Sequence, residues 1–187
     1  MIGYPTKKKV TPANTRTESS KRGMSLEDDI NQSNQVFLER NLANIHKKPT
    51  PITIVKVDYP SRSKAKITEA YFKIPSTTDY NGVYKGKAID FEAKETASLT
   101  SFSLSNIHPH QIKHMENVKE HGGFCFLIIR FTTLNETYYL NIDKLTEFTN
   151  NQVRKSLPYI WIKANGHLIP YNYLIPVNYL TVLDIYL

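Results

Sequence analysis

Glu92 and Lys94 stand two residues apart on a short alternating segment, Ala88 to Lys94, and Asp79 lies 13 residues upstream of Glu92. Two carboxylates beside one ammonium suit metal-dependent phosphodiester hydrolysis. Carboxylate oxygens can hold Mg²⁺ while the ion keeps several waters and meets the phosphate, and a nearby lysine can orient a water or offset charge on the phosphorane. Glu-x-Lys alone is common on solvated strands, so the tripeptide needs its context.

That context begins with the strand. In Ala88-Ile89-Asp90-Phe91-Glu92-Ala93-Lys94 the period of two puts Ile89, Phe91 and Ala93 on one face and Asp90, Glu92 and Lys94 on the other. Asn81-Gly82 tolerates positive φ and predicts a tight reversal that folds the Asp79 end back beside the following strand. Asp79, Glu92 and Lys94 then converge.

The flanking elements read as supports for this site. Met24 to Leu42 spaces Leu26, Ile30, Phe37, Leu38 and Leu42 at partly helical intervals, with Ser25 and Asp28 as a capping start. Glu27 in that first turn either faces a metal or simply answers the helix dipole. Pro109, followed by Ile112, Met115 and Val118, predicts a second helix with Gln111 in its first turn. Strands over Phe124 to Arg130 and Thr137 to Ile142 complete a mixed sheet, and Asp143 is expected to cap a helix running to about Lys155. The aromatic segment from Tyr159, with Trp161, Tyr171, Tyr173 and Tyr179, packs against the core or against a partner subunit.

Zinc is a poor fit. His108, His110 and His114 have only Cys125 to join them, and the carboxylate set favours an oxygen-seeking ion. The histidines are assigned to phosphate or solvent. Cys125, inside Phe124-Cys125-Phe126-Leu127-Ile128-Ile129, reads as an inert core thiol in a reducing compartment.

The chain of 187 residues carries a net charge of +7, and the charge is unevenly placed. Residues 1–22 hold six basic side chains against Glu18, with almost no apolar periodicity, and read as a disordered basic arm that lies along phosphates or merely aids solubility. Residues 56–73 hold five basic side chains against Asp58 and Glu69, bracketed by Pro60 and Pro75. Strands over Ile52 to Asp58 and Ile67 to Ile74 would make this a projecting ribbon, basic at its tip around Arg62, Lys64 and Lys66, with Tyr71-Phe72 near its base. No apolar leader follows the N-terminal lysines, and no run approaches about 18 apolar residues, so no membrane contact is expected. The expected organisation is an arm at 1–22 and one nuclease domain at 23–187, with a stalk over about 58–72.

Several blocks carry a family likeness. Ser76-Thr77-Thr78-Asp79-Tyr80-Asn81-Gly82-Val83-Tyr84 followed by Ile89-Asp90-Phe91-Glu92-Ala93-Lys94-Glu95-Thr96 resembles RecU, the Holliday junction resolvase family of Gram-positive bacteria. Phe102-Ser103-Leu104, His108-Pro109-His110-Gln111-Ile112-Lys113-His114-Met115 and the upstream Gly23-Met24-Ser25-Leu26-Glu27-Asp28-Asp29-Ile30-Asn31 resemble its further blocks, in family order and spacing over about residues 22–131.

The resemblance implies an α/β restriction-endonuclease-like fold of the PD-(D/E)xK kind: a mixed central sheet flanked by helices, with a protruding basic two-stranded stalk. It implies a homodimer that nicks four-way DNA junctions symmetrically, using Mg²⁺ or, in substitution, Mn²⁺. Metal positions fall on Thr77, Asp79, Glu92 and Gln111, the catalytic lysine on Lys94, and Glu27 is a secondary catalytic candidate. The stalk, with Arg62, Lys64, Lys66, Tyr71 and Phe72, corresponds to the part that enters the open centre of the junction. Thr78 departs from the superfamily pattern, which has proline before the aspartate. The expected setting is the cytoplasm, at the nucleoid, with the RecA recombinase as a further partner. A non-catalytic strand-annealing accessory that modulates RecA is the rival reading, and a restriction-type nuclease on linear duplex is a third. Intact Asp79, Glu92, Lys94 and Gln111 favour the enzyme.

Overall fold

Strand alternation and one glycine contact set the centre of the molecule. A computed structural model describes residues 25–73, 77–151 and 154–187, without the Arg62 side chain. The basic arm expected at 1–22, together with Gly23 and Met24, lies outside the described residues.

The elements follow in order as α1 (Leu26–Glu39), β1 (Ala43–Lys47), β2 (Ile52–Asp58), β3 (Lys66–Phe72), β4 (Tyr80–Tyr84), β5 (Lys87–Thr96), β6 (Ser101–Ser103) and α2 (Pro109–Glu120). They continue as β7 (Phe124–Phe131), β8 (Glu136–Asn141), α3 (Ile142–Asn151), β9 (Ser156–Pro158), α4 (Tyr159–Asn165), β10 (His167–Ile169) and α5 (Leu180–Leu183). Six strands form the central sheet in the order β1-β4-β5-β7-β8-β10. The β5–β7 pair is parallel and its neighbours are antiparallel, so the sheet is mixed.

Each sheet face has its own apolar layer. Ile89 and Phe91 of β5 pack with Phe126 and Ile128 of β7, Ile30 and Phe37 of α1, and Val177 and Tyr179 from the C-terminal segment. On the reverse face Cys125, Leu127 and Ile129 pack with Met115 of α2, Leu145 and Phe148 of α3, and Ile162 of α4. The C-terminal segment therefore covers the core of its own chain. This mixed α/β sheet flanked by helices, with a separate two-stranded ribbon, is the architecture expected from the sequence.

Three local readings are corrected by the coordinates. Asn81-Gly82 is not a reversal: it lies inside β4, and the chain turns at Lys85-Gly86, both with positive φ. Gly82 is there because β1 passes so close that a Cβ would meet the Asn44 carbonyl oxygen at 2.1 Å. Asp79 reaches the site all the same, because β4 runs back along β5 with Tyr80 opposite Phe91. The cap of α3 is Asn141, whose Oδ1 accepts from the Asp143 amide at 2.9 Å, and Arg154 already lies outside the helix, which therefore stops short of the expected Lys155. Helix α1 is shorter than the Met24 to Leu42 span, and Ser25 caps it by accepting from the Asp28 amide at 3.2 Å.

The ribbon pairs Ile52 with Phe72 at its root and Asp58 with Lys66 near its tip. A short 3₁₀ turn, Arg62–Lys64, joins the strands. Every residue of β3 is exposed, as are all but one of β2. Phe72 is 85 % exposed, so it belongs to no core.

Candidate active site

Strand β5 aims Asp90, Glu92 and Lys94 at the face covered by α2, while its Ile89 and Phe91 anchor the opposite layer. Glu92 is fully buried, and every oxygen it has is engaged. Its Oε2 accepts from the Asp79 backbone amide at 3.0 Å, and its Oε1 accepts from Gln111 Nε2 at 2.8 Å and pairs with Lys94 Nζ. Lys94 Nζ lies 3.6 Å from Asp79 Oδ2. Asp79, Glu92, Lys94 and Gln111, drawn from three segments, thus form one cluster.

Helix α2 contributes Gln111 through its cap. Pro109 takes the first helical position, and Gln111 Oε1 accepts from the His108 amide at 2.9 Å, which leaves Nε2 aimed at Glu92. The amide is held at both ends.

The electrostatics follow from this crowding. Burial first, and then the Asp79 charge, push the Glu92 carboxyl from 4.5 up to about 7, against the pull of Lys94. Burial pulls the Lys94 ammonium down, but the charges of Glu92 and Asp79 outweigh it and the net direction is up. One lysine against two carboxylates leaves the cluster short of positive charge, and the partly exposed Asp79 carboxylate faces the solvent side. That chemistry fits a hard divalent cation. Among the described residues no group of three or more His, Cys, Asp or Glu side chains is placed to hold a metal, so the two carboxylates would need the amide, a hydroxyl, water and phosphate oxygens as co-ligands.

Thr77 stands two residues before Asp79. It lines a cleft of about 210 Å³ with Asp79, Thr78, Lys47, Lys48 and Thr50. Of the cluster, Asp79 lines this cleft, together with Pro49 and Pro51 at the root of the ribbon. Glu27 stands apart: it pairs with Lys47, and among the described residues no hydrogen bond or ion pair joins it to Asp79, Glu92 or Lys94. Its charge reaches the neighbourhood through Tyr80, whose hydroxyl is raised by burial, then by Glu27, Asp79 and Asp28.

Two of the three histidines are placed differently from the sequence reading, whereas His108 is exposed. His114 is turned inward, its Nε2 3.2 Å from Asp90 Oδ2 though off the hydrogen-bond direction, and His110 Nε2 is buried without a partner. His108 and His110 stack, with ring centroids 5.3 Å apart. Cys125 is buried, and burial followed by the Asp90 charge pushes its thiol up to about 12, as an inert core thiol requires.

Sequence reasoning missed Asp90. It is buried, accepts from Lys48 Nζ at 2.9 Å and from the Thr78 hydroxyl, and sits on the same strand face as Glu92. The alternation that exposed Glu92 marked Asp90 equally, and a carboxylate on a face covered by a helix must find partners. Helix α1 is docked by two further polar contacts, Arg130 Nη1 to Asp29 Oδ2 at 2.7 Å and the Leu26 amide to Glu95 Oε1 at 2.7 Å.

Comparison with known proteins places this arrangement in a family. The Holliday junction resolvase RecU of Geobacillus kaustophilus is 57 % identical over 166 residues, covering 87 % of this chain and 83 % of the relative. The one from Oceanobacillus iheyensis is 58 % identical over 168 residues, covering 88 % and 86 %. The one from Staphylococcus epidermidis is 51 % identical over 180 residues, covering 95 % and 86 %. Among solved structures, Hjc of Archaeoglobus fulgidus, a Holliday junction resolvase, gives a TM-score of 0.40 at 7 % identity, covering 70 % of this chain and 88 % of that one, a likeness too loose to assign fold or function. The family model for recombination protein U matches residues 21–185, and with relatives this similar over most of its length the chain belongs to the RecU family.

Proposed function

We propose that this protein resolves Holliday junctions by Mg²⁺-dependent nicking during recombination and repair. The observation that carries the reading is the cluster of Asp79, Glu92, Lys94 and Gln111 in a chain more than half identical to proteins named Holliday junction resolvase. Asp79 and Glu92 would hold the ion, with Thr77 and Gln111 completing its protein ligands. Mg²⁺, when bound, supplies Lewis-acid polarisation of the scissile phosphate.

This chain's own residues do the rest. Lys94 orients the attacking water and stabilises the charge that grows on the phosphorus oxygens as the new P–O bond forms and the opposite one breaks. Gln111 and the Asp79 amide fix Glu92 so that its oxygens do not have to reorganise when charge develops. Glu27 is a secondary catalytic candidate approaching past Tyr80.

Recognition falls to the ribbon. Lys64 and Lys66, with Arg62, supply phosphate contacts at its tip, and the exposed Tyr71 and Phe72 offer ring faces for stacking on bases near its root. Symmetrical resolution takes two nicks, which a two-fold homodimer would supply. The arm at 1–22 would add sequence-independent phosphate contacts ahead of a single nuclease domain. The setting is the cytoplasm, at the nucleoid, with RecA as a further partner. No helix among the described residues is long and apolar enough to cross a membrane.

The test is strand cleavage of a synthetic four-way junction against matched linear duplex, with Mg²⁺, Mn²⁺ or EDTA, for wild type and Asp79→Ala. Paired, metal-dependent nicks confined to the junction and lost in Asp79→Ala, with binding retained, are expected. Tight junction binding without cleavage under either metal would move the assignment to a strand-annealing accessory of RecA. Equal cleavage of linear duplex would move it to a restriction-type nuclease.

A further inference from the structure

Asp90 is a buried carboxylate that the proposed chemistry does not use. It is 6 % exposed, and three separate segments converge on it. Thr78 donates its hydroxyl to Asp90 Oδ1, Lys48 Nζ donates to Asp90 Oδ2 at 2.9 Å and to Thr78 Oγ1 at 3.0 Å, and His114 Nε2 lies 3.2 Å from Oδ2. Lysine, threonine and aspartate thereby close a triangle. A buried carboxylate needs such partners, so Thr78 and Lys48 are held to it by hydrogen bonds, and His114 is packed against it.

Each segment is the mount of a site group. Thr78 sits between Thr77 and Asp79, His114 lies one helical turn after Gln111 on α2, and Asp90 itself is two residues before Glu92 on β5. Lys48 adds the root of the ribbon: its amide donates to the Asp79 carbonyl at 2.8 Å, and Pro51, three residues on, accepts from the Lys73 amide at 3.0 Å. All four proposed metal positions are therefore referenced to one carboxylate.

This also gives a role to Thr78, which stands where the superfamily pattern has proline. Proline fixes φ covalently and offers no donor. Thr78, 2 % exposed, is instead fixed by its hydroxyl, which donates a hydrogen bond to Asp90 and accepts one from Lys48.

We propose that Asp90 is a positioning residue which, through Thr78, Lys48 and His114, sets Asp79 and Gln111 against Glu92 at the spacing a divalent cation requires. This rests on the metal-dependent reading above, and the experiment separates the two. Mn²⁺ affinity is measured by electron paramagnetic resonance on the DNA-free full-length protein. Four-way junction affinity in EDTA and single-turnover cleavage over a range of Mn²⁺ concentrations are measured alongside.

Thr78→Val, which keeps the shape and removes the hydroxyl, is expected to weaken Mn²⁺ binding about ten-fold and to slow cleavage at low Mn²⁺ by a similar factor. High Mn²⁺ recovers much of the rate, junction affinity in EDTA stays within about two-fold, and Thr78→Ser restores Mn²⁺ binding. Asp90→Asn behaves as Thr78→Val, and Lys48→Met serves as a second variant if Asp90→Asn does not fold. Thr78→Val with wild-type Mn²⁺ affinity would overturn the inference alone. So would losses in Thr78→Val that track thermal stability and that Thr78→Ser does not rescue. A wild type that binds no Mn²⁺ and cleaves nothing would overturn both readings.

Discussion

The site and the ribbon sit a few residues apart in sequence and obey opposite physics. Asp79, Glu92 and Gln111 are held by strands and a helix over two apolar layers, and the polar atoms of the Glu92 and Gln111 side chains are partnered within the protein. The ribbon buries almost nothing: Ile52, Ile54, Val55, Ile67, Tyr71 and Phe72 all face solvent. A two-stranded hairpin is marginal alone in water, and on the proposed reading this one would be completed by the DNA it binds. On the proposed reading, chemistry that tolerates only sub-ångström error would sit on the sheet, and recognition that must adapt to a branched substrate on the ribbon.

The comparison breaks if catalysis and binding cannot be separated. Lys94→Met is expected to lower single-turnover cleavage by about 10³-fold, the scale of losing one preorganised charge at the reacting phosphate, while junction affinity changes less than about three-fold. Equal losses in both would mean that Lys94 serves binding. Gly82→Ala probes the packing side. Its new methyl meets the Asn44 carbonyl oxygen, so a destabilisation on the order of 3 kcal/mol is expected by denaturant titration, whereas Ile54→Ala in the ribbon changes stability by less than about 0.5 kcal/mol.

Replacing Arg62, Lys64 and Lys66 together by alanine tests the other half. Junction affinity should fall roughly 10- to 100-fold, and the slope of log affinity against log salt should flatten by up to about three, one for each lost phosphate contact. Cleavage of bound junction, measured at saturating protein, should hold. A salt slope that does not move would place the DNA path elsewhere.

Glu92 gives the pH dependence. Its folded-state value is raised from 4.5 to about 7, chiefly by burial, so folding disfavours its charged form. The associated stability is fully present below the ordinary value and is lost as pH rises through about 7. Without metal, Glu92→Gln should therefore be more stable than wild type at pH 8, by about 1–3 kcal/mol, and the gap should close by pH 5. Thermal midpoints in EDTA at the two pH values check this. A gap of the opposite sign would show that the pairing with Lys94 outweighs burial.

How far the sequence revealed this structure depended on the range of the contact. The alternation in β5 and the proline start of α2 are local, and they placed Glu92, Lys94 and Gln111 correctly on their elements. Asn81-Gly82 misled because a glycine required by a neighbouring backbone looks like a glycine required by a turn, and only the β1 contact tells them apart. Asn141 took the cap from Asp143 because the two stand two residues apart and either type can cap. Asp90 was the larger omission. Its partners Lys48 and Thr78 are 42 and 12 residues away, and no local pattern connects them.

Phe72 gives the smallest effect and the sharpest test of the division. At 85 % exposure it has nothing to lose in the folded protein, so Phe72→Ala should leave stability within about 0.5 kcal/mol of wild type. If its ring stacks on a base at the junction centre, affinity should nevertheless fall about five-fold or more, since such stacking contributes roughly 1–3 kcal/mol for each base. The loss should be smaller on linear duplex, whose bases are already stacked. Equal losses on both substrates would make Phe72 a general backbone contact. A drop in stability instead would show that Phe72 packs within the protein, and the ribbon would then belong with the sheet as part of the fold.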